Sequence, residues 1–368
     1  MPFYSKLKSS VEADRRTIEG IQRLKVQLDA ALPPKDLDRH LLLATWNLRE
    51  FGGGKYGGRT QESLFYIAEV MSRFDLIAVQ EVRSDLGALD ELMSLLGQSM
   101  WKYLVTDVTY GKQGNDERLA FIYDTRQISF GGLAGEVVPE QVKNENGLLS
   151  AKDGFARTPY IVGFRAGWFK FSICTMHSYY GEGEKDEQRK KEMADIVRLM
   201  KKRIESPDRW AKNTIILGDF NIFSAKDSAM QSLTKVFKRP QVFEETEPGS
   251  NQDRSKPYDQ IGFLSPDVGN QLDKAKAGVF DPYESVMRLK EDEKVYPWSG
   301  KSFKEWRSYQ ISDHLPKWVQ INVNFGDDYL KTKLNPPQTE AARARVAASQ
   351  VAPARKKVEK VVRKKSRK

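Results

Sequence analysis

The stretch NTIILGDFNIF, residues 213–223, runs an apolar, β-branched segment into a glycine and then sets Asp219 and Asn221 two positions apart. Side chains alternate across a strand, so these two polar groups project on the same side beyond its end. Taken alone, GDFN also fits a turn, because Asp and Asn are common turn formers. Other apolar runs end in the same manner. LLLATWNLREF closes on Asn47, DLIAVQEVR on Glu81 and FSICTMHSYY on His177. YDQIGFL places Asp259 before a strand, and SDHLPKWVQINV opens one with Asp313 and His314. One buried polar strand end is ordinary; six that combine carboxylates, carboxamides and imidazoles point to a site. Two of the chain's 3 histidines belong to this set, and His40, ahead of the first strand, reads as a surface residue.

Outward from these ends, residues 40–325 are dense with short apolar runs, among them LAFIYD, YIVGFRA and WVQINV. Apolar residues recur at helical spacing over 60–72, 86–96 and 187–204. Buried strands alternating with helices, with no linker-like gap, predict one α/β domain over 37–326. Ahead of it, Val11, Ile18, Ile21, Leu24, Leu28 and Leu32 follow a near-heptad spacing that Pro33-Pro34 ends, so residues 1–36 should carry an amphipathic helix. That helix either packs on the domain or offers a face to a partner. After Val323 the composition turns to Asp, Lys and Pro and then to Ala, Lys and Arg, which predicts a basic, disordered tail over 327–368.

Charge follows the same division. Residues 341–368 hold eleven Lys or Arg against Glu359 alone, which accounts for the whole formal charge of +10. The rest of the chain is balanced, so the domain would bind through local patches and the tail would grip polyanions. No apolar run approaches the roughly 18–20 residues of a membrane-spanning helix. The start, MPFYSKLKSSVEADRR, has no continuous apolar stretch of signal-peptide type, and Cys174 is the 1 cysteine, which excludes an intrachain disulfide. A cytoplasmic location is the expectation.

In order along the chain, the blocks TWNLR, QEVR, DERLAFIYD, FARTPY, TMHS, GDFN, YDQI and SDH resemble the endonuclease/exonuclease/phosphatase superfamily, most of all its deoxyribonuclease I branch. GDFN or SDH alone carries little; eight ordered blocks over about residues 40–325 carry much. The resemblance implies a four-layered α/β sandwich, two packed β-sheets flanked by helices, with the site at one sheet edge. The polar strand ends are then the parts of a metal-dependent phosphoesterase. The abasic-site endonuclease branch fits less well, since it carries asparagine at the block of His177.

Hydrolysing a phosphate ester requires neutralised phosphoryl oxygens, an activated water in line and a proton for the leaving oxygen. Hard oxygen ligands recruit Mg²⁺, with Mn²⁺ as a substitute, whereas the lack of cysteine and clustered histidine ligands argues against zinc. Glu81 is the first choice as ligand, with Asn47 and Asp313 completing the set that the family pattern supports. Histidines suit proton transfer near neutral pH when a carboxylate holds each in one tautomer. The resemblance supplies those carboxylates, Glu117 for His177 and Asp259 for His314. It implies that His314 activates water and His177 protonates the leaving oxygen, or the reverse. Asp219 and Asn221 would orient the water or the phosphate or, in some readings of the family, hold a second metal.

Arg49, Arg83 and Arg157 stand where the deoxyribonuclease branch places arginines that meet phosphates or the minor groove, which favours a polyanionic substrate. Each could also be a plain solvated charge. Asn115 departs from the pattern, because the branch has an aromatic there that packs in the groove; Tyr110 is the substitute that the same loop offers. The leading expectation is an Mg²⁺-dependent, low-specificity endonuclease acting on DNA. A phosphodiesterase or phosphatase for lipid or inositol phosphates, with VYPWSGKSFKEW (residues 295–306) as contact loop, is the first alternative. A non-catalytic nucleic-acid-binding protein is the second.

Overall fold

The computed structural model describes residues 2–334 apart from 112, 140, 144–148, 152, 153 and 184. The strands are β1 His40–Phe51, β2 Leu76–Arg83, β3 Trp101–Val105, β4 Glu117–Asp124, β5 Ile128–Glu136, β6 Gln141–Lys143, β7 Leu149–Ala151, β8 Tyr160–Ala166, β9 Phe169–His177, β10 Asn213–Asp219, β11 Asp259–Leu264, β12 Ala277–Val279 and β13 Lys317–Asn322. The α-helices are α1 Glu12–Ala31, α2 Gln61–Met71, α3 Gly87–Leu96, α4 Glu187–Glu205, α5 Ser228–Thr234, α6 Gln241–Thr246, α7 Phe303–Gln310 and α8 Gly326–Leu334.

Two mixed sheets pack face to face, one ordered β12-β13-β1-β2-β4-β3 and the other β11-β10-β9-β8-β5, with β6 and β7 as a separate hairpin. Alternation along β1 explains the layering. Leu42, Ala44, Trp46 and Leu48 join the core under α1, α2 and α3, while Thr45 and Asn47 take the opposite face, toward the second sheet. On the far side, Cys174, Met176 and Ile216 pack under Met193, Ile196 and Met200 of α4. Helix, sheet, sheet, helix is the four-layered sandwich, and the strands that end in polar residues lie at the centre of both sheets.

Helix α1 has Glu12 and Asp14 in its first turn and stops ahead of Pro33-Pro34. Its Ile21, Leu24 and Leu28 are buried in the same core as β1 and α2. Gly20 faces the ring of Tyr66, whose hydroxyl donates to Glu62 at 2.6 Å. The described residues up to Asn324 form one compact unit, α1 included, and α8 belongs to a second. The basic stretch 341–368 lies outside the described residues.

The strands read from apolar runs are present, and β3, β5 and β12, not singled out in the sequence, lie at sheet edges. Edge strands bury one side less completely, so their pattern is weaker; β5, ISFGGLAGE, is mostly exposed. Inside β10, Gly218 adopts φ +142°, and a Cβ there would run into the carbonyl oxygen of Met176. Gly218→Ala should therefore cost about 2 kcal/mol or more, seen as a lower melting temperature. An unchanged melting curve would show that the strand has room to relax.

Candidate functional site

Register brings the site residues together before any side chain is considered. Asp219 of β10 pairs with His177 of β9 on one side and with Asp259 of β11 on the other. In the first sheet, Asn47 of β1 pairs with Gln80 of β2, next to Glu81. The two sheets are joined just beneath by a buried polar link, in which Gln80 Nε2 donates to Thr175 Oγ1 at 3.0 Å and to Thr45 Oγ1 at 3.2 Å.

Asn47 stands at the middle. Its Nδ2 donates to Glu81 Oε1 at 2.9 Å and to Asp219 Oδ2 at 3.0 Å, so two carboxylates fix the orientation of the amide. The amide oxygen, Oδ1, is buried and has no hydrogen-bond partner among the described residues. A buried carbonyl oxygen without a partner is costly unless something not made of protein meets it. Beside it, Glu81 Oε2 accepts from the Glu50 backbone N–H at 2.9 Å. Burial pushes the Glu81 pKa up, but the His177 charge, the Asn47 and Glu50 hydrogen bonds and the His314 charge outweigh it and bring it down to about 2. An ionised carboxylate and an orphaned amide oxygen side by side fit a hard divalent cation.

The imidazoles face each other across Asp219. His177 Nδ1 lies 2.5 Å from Glu117 Oε1, and His314 Nδ1 lies 2.8 Å from Asp259 Oδ2. Each Nε2 lies 3.5 Å from Asp219 Oδ2. Carboxylate contact at Nδ1 sets the tautomer and turns Nε2 to the shared space. For His177, burial and the Arg157 cation push the pKa down, and Glu117 and Asp219 push it up to a net raised value. For His314, burial is outweighed by Asp259, Asp219 and Asp313, and the pKa stands well above the usual value. Asp219, Asp259 and His314 can also present one atom each within 4.8 Å of one another. Within that trio, Asp259 Oδ2 already meets His314 Nδ1, while Asp259 Oδ1 is buried without a hydrogen-bond partner among the described residues.

The remaining expected residues take two kinds of position. Asn221 is turned by φ +50°, donates its Nδ2 to Ser178 O at 2.8 Å and gives its backbone N–H to Asp219 Oδ1 at 2.9 Å. Asp313 pairs with Arg49 at 3.1 Å, and Arg49 also donates to Ser308 Oγ and Tyr309 OH. Arg157 is buried behind His177, with its Nε 3.0 Å from Glu117 Oε1 and its Nη1 donating to Ser178 O. Arg83 donates to Asn115 O and lies 3.5 Å from Glu50. Asn115 turns its amide to Glu117 at 3.3 Å, and Tyr110 is 76% exposed.

Several supports carried no signal in the sequence. Arg59 collects the carbonyls of Leu48, Arg49, Glu50 and Ile311 where β1 leaves the regular ladder. Ser312 donates to Asn47 O at 2.6 Å and accepts from His314 N, tying the SDH turn to β1. Buried Arg189 donates to Asn221 O and to Asp227, holding the loop after β10.

A double-sheet α/β sandwich with a carboxylate, carboxamide and imidazole cluster on its strand ends is the architecture of the deoxyribonuclease I-like proteins. The findings support the endonuclease/exonuclease/phosphatase superfamily, on its deoxyribonuclease I-like side. It is 28% identical over 190 residues to deoxyribonuclease-1 of Bos taurus, an alignment covering 49% of this chain and 60% of that protein. The match to the Homo sapiens protein is 28% over 189 residues, with the same coverage of 49% and 60%. The chain thus matches about 60% of the length of these relatives. No protein-family model matches the chain. Among solved structures, the chain is similar to a mannosyl-6-phosphatase of Bacteroides thetaiotaomicron, with TM-score 0.49, 16% identity, and coverage of 76% of this chain and 99% of that one. It is also similar to the human Nocturnin catalytic domain, with TM-score 0.48, 12% identity, and coverage of 77% and 93%.

Proposed function

We propose that this chain is a Mg²⁺-dependent phosphodiesterase that cuts DNA internally with little sequence preference. The observation that carries the reading is the buried, unpartnered Asn47 Oδ1 beside ionised Glu81, at the meeting point of two carboxylate-backed imidazoles. Glu81 and Asn47 would hold the cation, with Asp313 at the edge of the same cluster. Bound there, Mg²⁺ or Mn²⁺ would supply neutralising charge for the phosphoryl oxygens.

The chain's own groups do the rest. In its neutral form, which its raised pKa confines to higher pH, His314, held by Asp259, takes the proton of the attacking water at Nε2. His177, held by Glu117, delivers a proton from Nε2 to the departing oxygen. Asp219 lies 3.5 Å from both Nε2 atoms and orients the water between them. Arg157 acts from behind, on Glu117, whereas Arg49 and Arg83 lie at the rim where a polyanion would pass. No helix among the described residues is long and apolar enough to cross a membrane. A reducing compartment such as the cytoplasm suits the buried thiol of Cys174.

Purified full chain with Mg²⁺ should degrade plasmid and other DNA while leaving phosphorylated lipids and inositol phosphates untouched. Release of phosphate from the lipids with DNA intact would overturn the substrate assignment.

The basic tail is proposed as an added DNA contact. A chain cut after Glu340 should retain turnover on short oligonucleotides but bind long DNA more weakly at low salt. On duplex DNA the logarithm of affinity falls with the logarithm of salt by roughly 0.9 per phosphate contact, so the shortened chain should give a flatter salt slope. Gel shifts across a salt series, with Glu81→Gln in both forms, measure it. Equal slopes would leave the tail without a role in binding.

A further inference from the structure

Three aromatic residues are attached directly to three of the blocks that build the site. Tyr180 follows His177 by three positions, Phe223 follows Asn221 by two, and Tyr258 precedes Asp259. Their rings form one compact cluster, in which Tyr180 and Tyr258 also meet directly at 6.3 Å. Tyr258 lies against the His314 imidazole with centroids 5.6 Å apart at 33°. Phe223 meets Tyr258 at 5.3 Å, and Tyr180 meets Phe223 at 5.5 Å. The cluster touches the proposed reaction centre through half-buried Tyr258 and reaches solvent through Tyr180, which is 49% exposed. Gly181, at φ +57°, turns the chain immediately after Tyr180, and a Cβ there would collide with the Asp186 carboxylate.

Two cations border the cluster at Phe223, where the buried Arg189 guanidinium lies 5.1 Å from the ring centre. The Lys256 ammonium lies 5.6 Å from the centre of the Phe223 ring and meets no carboxylate among the described residues. An aromatic cluster beside a phosphoester-cleaving centre, with one ring exposed and the Lys256 ammonium alongside, suits a nucleotide next to the scissile bond. Its base would lie on the rings and its phosphate by the lysine.

We propose that Tyr180, with Phe223 and Tyr258 behind it, is a stacking shelf for an unpaired base, and that the substrate strand is single-stranded at the cut. This rests on the nuclease reading above. Inside a duplex both faces of a base are covered by its neighbours, so only an unpaired base offers a face to Tyr180. The opposite flank agrees, because Asn115 is turned to Glu117 and presents no ring to a duplex groove.

The test compares wild type, Tyr180→Ala and Tyr180→Trp, each as the full chain with Mg²⁺. The substrates are a single-stranded oligonucleotide, the same sequence as duplex, and the base-free diester methyl p-nitrophenyl phosphate. Wild type should favour the single strand. Tyr180→Ala should lower the single-strand to duplex ratio of kcat/KM by roughly 5- to 150-fold, the stacking loss expected for one base, and Tyr180→Trp should restore it. In a Glu81→Gln background, a single strand carrying 2-aminopurine should be quenched on binding, and adding Tyr180→Ala should remove the quenching. If wild type cleaves all three substrates and neither the ratio nor the quenching responds to Tyr180, the shelf alone is refuted. If wild type cleaves none of them, the nuclease reading falls and the shelf with it.

Discussion

Replacing Glu81 by Gln should lower phosphodiester hydrolysis by about 10³-fold or more, because a bound cation supplies several kcal/mol of charge stabilisation in the transition state. The fold should survive. Gln has the same size, keeps an oxygen for one of the two N–H groups that Glu81 accepts from, and leaves the backbone turn of φ +61° as it is. The loss of one charged hydrogen bond costs about 1–3 kcal/mol, below the total of an ordinary domain. Binding gives a readout apart from activity. Mn²⁺ titrated into wild type should bind, as read by electron paramagnetic resonance, and bind at least tenfold more weakly to Glu81→Gln. Equal Mn²⁺ affinity in both proteins would take the ligand role away from Glu81.

The histidines give the second large effect. General acid–base catalysis contributes about 10²- to 10⁴-fold, so His177→Ala and His314→Ala should each lose that much in kcat with a smaller change in KM. Leaving-group chemistry separates the two roles. A p-nitrophenolate departs without a proton, so His177→Ala should recover most of its loss on a p-nitrophenyl diester, whereas His314→Ala should stay impaired on every ester. The opposite pattern would exchange the roles of the two imidazoles, and full activity in either variant would remove it from the chemistry. Glu117→Gln and Asp259→Asn, which keep each ring but remove the charge that holds it and raises its pKa, should lose less than removal of the ring itself.

Much of this arrangement was legible in the residues. Apolar runs ending in Asn47, Glu81, His177 and Asp219 carried both the strands and the polar cluster, since a buried run has a strong signature and a charged end to it is uncommon. The cross-strand neighbours of Asp219 follow from register, which a single run does not encode, although all three blocks could be named.

The least legible part was the backbone at Gln80 and Glu81. Strict alternation would send these two to opposite faces of the sheet, with Gln80 inward and Glu81 away. Instead the pairing of β2 slips between Val79 and Val82, and Glu81 turns to positive φ. Gln80 then joins the sheets while Glu81 still reaches Asn47. Bulges of this kind re-aim a side chain beside functional sites, and nothing in the letters VQEV announces one. Arg157 stands beside the site, but its partner was not legible. An arginine near a polyanion site reads as a phosphate contact, yet this one is buried against Glu117, where its charge acts on the His177 pair. Arg59 and Ser312 had no signal at all, because hydrogen bonds to the backbone of distant segments leave no periodicity.

The most direct measurement is the conversion of supercoiled plasmid, alongside single-stranded DNA, by the purified full chain in Mg²⁺, in EDTA, and in EDTA followed by excess Mg²⁺. Nicking in the first, none in the second and its return in the third is the expected result. Nicking that continues in EDTA, or plasmid and single-stranded DNA that both stay intact in Mg²⁺, would contradict a metal-dependent nuclease built on Asn47 and Glu81.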